Sequence, residues 1–226
     1  MKQIGQIVDR QMKEWELRRQ SDRKTPPAER GPVVCLSRTI GSGAREIAKK
    51  LADRLDLHIL GRDTIDYIAE DLHTQRRLID ILDERGRERL ERWVDGYLHG
   101  APVEYDEYGR SLVKVVRSAA MQGNVLFLGR GANFILGLDD AFCVRLVAPP
   151  EQRIRQIMVY ESIDREEAVT LIKRTEEDRR RFAQRLFHRD VEDPVAYHLI
   201  LNMAGLDSDQ ATDIILSVMR LRGFLP

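Results

Sequence analysis

The sequence predicts an α/β fold, a parallel sheet covered by helices on both faces. Five short apolar runs, at residues 33–37, 57–60, 125–129, 143–148 and 197–202, have the length of strands. The runs are separated by longer helical patterns rather than tight turns, which is the spacing of βα units. They are also close to continuously apolar, as strands buried on both faces are. The 226 residues are enough for one large domain or a domain with appendages, and 42% hydrophobic residues can build a real core.

In chain order, residues 1–20 place Ile4, Ile7 or Val8, Met12 and Trp15 at three- and four-residue spacing. This gives one apolar stripe on an otherwise polar helix. The stripe docks on its own domain or on a partner, a homodimer through this helix being the alternative. Residues 21–32 hold three prolines and mixed charge with no larger apolar side chain, and read as a linker. The expected organisation is therefore an appendage over 1–31 and a folded domain over 32–226. A helix is expected over 46–55 after the first strand. Another is expected over 150–158 after the fourth, with Pro150 in its first turn. Asp164 with Glu167, and Asp207 with Gln210, have the spacing of capping boxes and mark two later helix starts. Two segments exceed simple crossovers. One, about 64–123, is mostly helical and charged, broken by a polar loop over 99–110; the other, about 151–190, is Arg-rich. Each is expected as an insertion at the end of the sheet where α/β folds bind ligands.

The first strand runs into Arg38-Thr39-Ile40-Gly41-Ser42-Gly43-Ala44-Arg45-Glu46 and then a helical pattern. A strand, a Gly-rich turn and a helix N-terminus together suit a phosphate, because inward backbone amides and the helix dipole both favour an anion. Set against the phosphate-loop consensus with Gly43 as its second glycine, Arg38 replaces the first glycine, Ala44 the lysine and Arg45 the Ser or Thr. On spacing alone, a phosphate site and an ordinary tight turn are equally good readings. Further along, Arg179, Arg180, Arg181, Arg185 and Arg189 fall in a stretch without acids, with Arg181, Arg185 and Arg189 at four-residue spacing. Such a stripe repels itself unless anions neutralise it; Glu176, Glu177 and Asp178 beside it allow the alternative of a solvated, self-paired helix.

Four ordered blocks add a resemblance: residues 37–48 (SRTIGSGAREIA), 128–136 (LGRGANFIL), 144–157 (VRLVAPPEQRIRQI) and 193–202 (DPVAYHLILN). Together they resemble the cytidylate-kinase-like family, a divergent branch of the P-loop nucleoside monophosphate kinases. There the first block typically reads S-R-x-x-G-S-G-G-R-E-I-A, the second G-R-G/C-A-D-Y-I-L and the last D-P-x-x-Y-D-L-x-L-N. The resemblance implies a three-layer α/β/α P-loop kinase with a five-stranded parallel sheet, a helical acceptor-binding insertion and an Arg-rich lid. It further implies that Gly41, Ser42, Gly43, Ala44 and Arg45 wrap the β-phosphate of ATP, with Arg45 a candidate for the charge of the absent lysine. Glu46 either caps the helix or touches a magnesium ion through water. Arg130 contacts the acceptor phosphate, Arg62 and Asp63 touch the acceptor, and Arg181 and Arg185 serve the lid. Three departures weaken inheritance of orthodox metal and base sites: Leu128 and Gly61 where better-known members carry aspartate, and Tyr67 where they carry arginine.

The implied activity is transfer of the ATP γ-phosphoryl group to a nucleoside monophosphate, CMP or dCMP, with Mg2+ carried by the nucleotide. The rivals are a nucleotide-binding sensor or scaffold without turnover, and a P-loop kinase for another small acceptor. Thirty-seven basic and 37 acidic residues balance, which argues against a general nucleic-acid binder. No apolar run approaches the roughly 18 residues of a membrane span, and the N-terminus lacks a secretory pattern. Two cysteines and five histidines without paired ligand spacing give neither a disulfide framework nor a protein-held metal. A cytoplasmic protein is expected.

Overall fold

The computed structural model describes residues 2–21, 31–100 and 106–226; the proposed linker and the tip of the 99–110 loop lie largely outside them. The elements are α1 (Lys2–Ser21), β1 (Val33–Arg38), α2 (Ala44–Leu55), β2 (His58–Gly61), α3 (Arg62–Glu70), α4 (Leu72–Asp80), α5 (Glu84–Gly100), α6 (Glu107–Gln122), β3 (Val125–Leu128), α7 (Ala132–Asp140), β4 (Phe142–Val147), α8 (Pro150–Glu161), α9 (Arg165–Phe187), β5 (Leu199–Asn202) and α10 (Ser208–Leu221). The five strands form one sheet in the order β2-β3-β1-β4-β5. β1 and β4 are parallel with Cys35 opposite Cys143 and Ser37 opposite Arg145, and β5 continues the sheet parallel to β4.

The chain divides into two compact units, one comprising residues 34–59 and 126–226, the other 1–33 and 60–125. In the first, Val34, Leu36, Val144 and Leu146 meet Ile47, Leu51, Ile215 and Met219 in an apolar layer under α2 and α10. Strand alternation sends Cys35, Ser37, Cys143 and Arg145 to the opposite face. The two later helix starts are built as their sequences indicate. Asp164 accepts from the Glu167 amide while Glu167 reaches back to the Asp164 amide, and Asp207 and Gln210 do the same for α10.

In the second unit α1 packs with α3, which in turn packs with α4 and α6. Val8, Met12 and Trp15 are fully buried there. Asp9 and Glu16, on the flank of the stripe, both bind Arg77 of α4, at 2.8 and 3.3 Å. The N-terminal helix thus falls in the same compact unit as the helical insertion. Among the described residues no helix is long and apolar enough to cross a membrane.

Candidate active site around the phosphate loop

The Gly-rich turn leaves β1 at Arg38, and the Thr39 amide donates to Leu146 O at 2.9 Å, which extends the central pairing by one residue. Ser42 is buried and its hydroxyl donates to Thr39 O at 2.8 Å, closing the turn from inside. Gly41 and Gly43 take left-handed conformations, with φ of 79° and 78°. A β carbon on Gly41 would lie 2.7 Å from the carbonyl oxygen of Arg153, so α8 passes too close for any side chain. Gly43 is the N-cap of α2, which begins two residues before the expected start. No side chain caps it, so the first-turn amides keep no side-chain acceptor and combine with the helix dipole as an anion site. That geometry fits an anion of the size of a phosphate.

The turn is stapled to the helical hairpin α8–α9. Ile40 joins the small apolar core of Ile154, Ile157 and Ala168. Its amide donates to Glu176 Oε1 at 2.7 Å, and its carbonyl accepts from Arg153 Nε at 2.8 Å. Arg153 also pairs with Glu176 at 3.1 Å, both side chains being largely buried. Arg179 donates from Nη1 to Arg38 O at 2.9 Å and lies 3.4 Å from Glu176. The loop therefore meets one carboxylate and two guanidinium groups from the lid, all in the same unit.

A match to the cytidylate kinase-like family covers residues 33–205, well over half of the chain. The chain belongs to that family. It is also 25% identical over 188 residues to a cytidylate kinase of Pyrobaculum islandicum, spanning 81% of this chain and 90% of that protein. In structure it is similar to an uncharacterized protein from Eubacterium ventriosum, with a TM-score of 0.66, 20% identity, and coverage of 84% of this chain and 98% of the other. Shikimate kinase from Bacteroides thetaiotaomicron aligns over 84% of this chain and 97% of its own at a TM-score of 0.45 and 15% identity.

Among the positions carried over from the cytidylate kinase-like family, Gly41, Ser42, Gly43 and Ala44 form the turn and the helix start. Arg45 follows them, but its exposed guanidinium is directed to Tyr160 of α8, bonding the phenol oxygen and lying 5.0 Å from the ring centre. Glu46 is engaged by Ser208 Oγ at 2.5 Å and Lys50 at 3.5 Å, so its carboxylate serves helix-to-helix contacts. Arg130 follows β3 with φ of 54°, a strained value for a side-chain-bearing residue, and its guanidinium stands 4.6 Å over the Phe182 ring of α9. The neighbouring Gly129 is in contact with the Arg38 guanidinium; an added β carbon there would come within 2.1 Å of it. Arg62 and Asp63 belong to the other unit and form an exposed pair at 3.3 Å. Arg181 is exposed and pairs with Glu177 at 3.1 Å, and Arg185 is exposed on the last turn of α9. The helix ends at Phe187, so the four-residue stripe stops at Arg185 and does not include Arg189.

Arg38, Arg153, Glu176 and Arg179 are the residues that spacing alone did not single out. The only signal was their place in the matching blocks and in the lid's charge run. A second polar group lies beneath the turn. Arg145, 4% exposed, donates to Ser37 Oγ at 3.0 Å and lies 5.9 Å from the Tyr197 ring centre. Tyr197 donates to Val191 O, and its burial pushes the phenol pKa up, keeping it neutral. Among the described residues no group of His, Cys, Asp and Glu could hold a metal ion. A magnesium ion that arrives on a nucleotide needs no such group, since phosphates and waters supply most of its ligands.

Proposed function

We propose that the chain transfers the γ-phosphoryl group of ATP to a nucleoside monophosphate, with CMP or dCMP as the acceptor, and does so in the cytoplasm. The observation that carries this reading is the turn itself: two left-handed glycines, an uncapped helix N-terminus, and lid arginines reaching its main chain. Family membership and the cytidylate kinase relative support the choice of acceptor. In the reaction an acceptor phosphate oxygen attacks the γ-phosphorus in line. The new P–O bond forms as the bond to the β,γ-bridging oxygen breaks, and ADP departs. That oxygen is already anionic at neutral pH, so no general base is required, and the protein's contribution is alignment and neutralisation of charge. Loop amides from Gly41 to Arg45 hold the donor. Arg130, on the turn after β3, orients the acceptor phosphate.

The engagement of Glu46 by Lys50 and Ser208, and of the Ile40 amide by Glu176, favours a second reading, a nucleotide-binding protein without turnover. ADP release from ATP and Mg2+ against a panel of nucleoside monophosphates separates the two. In the kinase reading CMP or dCMP supports the fastest release, and Arg130→Ala cuts that rate at least about tenfold while ATP affinity stays within about twofold. Silence across the panel with ATP binding intact would establish the second reading.

A further inference from the structure

Arg38 belongs to the Gly-rich turn by its backbone and to the turn after β3 by its side chain. It ends β1, its carbonyl accepts from Arg179 at 2.9 Å, and the amide that follows it donates to Leu146 O at 2.9 Å. Its half-buried guanidinium reaches across to Gly129, where an added β carbon would lie 2.1 Å from Nη1 and 3.2 Å from Cζ. Any side chain at 129 would displace it. The two strand ends are themselves joined, since the Gly129 amide donates to Leu36 O at 3.2 Å. β1 and β3 are neighbours in the sheet, yet the chain leaves β1 toward β2 and leaves β3 the opposite way, toward β4. The carboxyl ends of such a pair flank the crevice in which open α/β sheets bind ligands. Arg130, the next residue, brings a second guanidinium to the same turn.

We propose that Arg38 is a catalytic residue, its guanidinium contacting the phosphoryl group as it passes from donor to acceptor. This rests on the reading of the Gly-rich turn as the ATP site and of the turn after β3 as the place of the acceptor phosphate. A cation whose main chain begins the donor loop and whose head group lies on the acceptor turn stands where the two substrates meet. Charge in the transition state spreads over the equatorial oxygens of the moving group. A planar guanidinium can donate to two of those oxygens at once, which an ammonium cannot match. Arg38 gives up no proton in the step. The bond from the acceptor oxygen to phosphorus forms, the bond to the β,γ-bridging oxygen breaks, and the guanidinium stays charged throughout. The role also accounts for Gly129, the bare position that lets the guanidinium lie at the crevice.

The test uses the full chain as wild type and Arg38→Gln, with ATP affinity from calorimetry and kcat from ADP release at saturating levels of the nucleoside monophosphate that wild type uses fastest. Glutamine keeps a donor of hydrogen bonds and removes the charge. Arg38→Gln should lower kcat at least about hundredfold, the scale on which an arginine acts on a transferring phosphoryl group. Its ATP affinity should stay within about threefold of wild type, and its melting temperature close to it. A second readout needs no turnover: ADP with aluminium fluoride, a mimic of the phosphoryl group in transfer, should bind wild type with the acceptor more tightly than ADP alone, and Arg38→Gln should lose that gain. A kcat within about threefold of wild type, or a retained gain with aluminium fluoride, overturns the proposal and leaves the kinase reading standing. A fall in ATP affinity as large as the fall in kcat also overturns it, since Arg38 would then be a donor-binding or structural residue. If Arg38→Gln unfolds, Arg38→Lys replaces it, with kcat lowered at least about fivefold at unchanged ATP affinity because the fork is lost, and a wild-type rate overturning the proposal. Wild type that turns over no acceptor removes the kinase reading and this proposal with it.

Discussion

At the scale of single residues, the site depends on backbone conformations that few side chains tolerate. Gly41→Ala adds a β carbon where the Arg153 carbonyl already lies 2.7 Å away, at a φ of 79°. Strain of this kind costs about 1–3 kcal/mol, so the variant should melt several degrees lower. It should also lose ATP binding, because the turn must open to relieve the clash. Differential scanning calorimetry and titration with ATP check the two effects, and a variant that melts and binds like wild type removes the close-approach argument. Gly41 and Gly43 were legible in the sequence as a turn between a strand and a helix, and it was the ordered matching blocks, not the spacing, that favoured a phosphate site over an ordinary tight turn. Arg45 was legible only as a nearby cation. Which way a guanidinium swings depends on neighbours such as Tyr160, 115 positions further along the chain, that no local pattern reveals.

At the scale of elements, α1 shows how an amphipathic stripe finds its face. Its three- to four-residue spacing gave the helix and its apolar side, while the choice of α3 as the surface it covers came from packing. Met12 is fully buried in that layer, and Met12→Ala should cost about 2–5 kcal/mol. Urea unfolding followed by fluorescence of Trp15 and Trp93, both in this unit, reports it; a loss below about 0.5 kcal/mol would mean that α1 does not stabilise the helices it covers. The lid hairpin teaches a related lesson. The capping box at Asp164 fixed the start of α9, but its end at Phe187 cut the arginine stripe short of Arg189. The residue that joins the loop's opening carbonyl is Arg179, outside the periodic set, since contact depends on the angle of α9 to the turn and not on spacing within the helix.

At the scale of the whole molecule, stability of the sheet-bearing unit is tied to pH through His198. Its Nδ1 accepts from the Cys143 amide at 3.0 Å, which requires the neutral ring. The imidazole stacks on Phe142 and meets Phe224 edge-on. Desolvation, and then the charge of Arg222, push its pKa below 6.5, with Asp139 opposing. With the folded value depressed, the unfolded chain takes up the proton first. The stability contribution is therefore whole above about pH 6.5 and is lost as pH falls from there through the depressed value. The melting temperature should fall between about pH 7 and pH 5, and His198→Phe, which keeps an aromatic ring in the stack, should flatten that slope. An identical slope in the variant would assign the effect to other groups. The alternating strand and helix plan was readable at this scale because periodicity and burial repeat along a whole chain, and small errors at element ends do not change the count of βα units.

The sequence by itself determined the order of strands and helices along the chain, the Gly-rich turn after the first strand and the family, because these rest on local hydrophobic periods, glycine placement and ordered blocks of residues. Tertiary structure alone decided which cations reach the loop. It set Arg153, Glu176 and Arg179 against Ile40 and Arg38 across 113 to 141 positions of chain. It also buried Arg145 beneath the turn beside Ser37, two strand ends brought together by the β1–β4 register. The physical reason is that a side chain's charge acts over a few ångströms in space. The sheet order and the docking of α8 and α9 set those distances, and neither is written in any single stretch of residues.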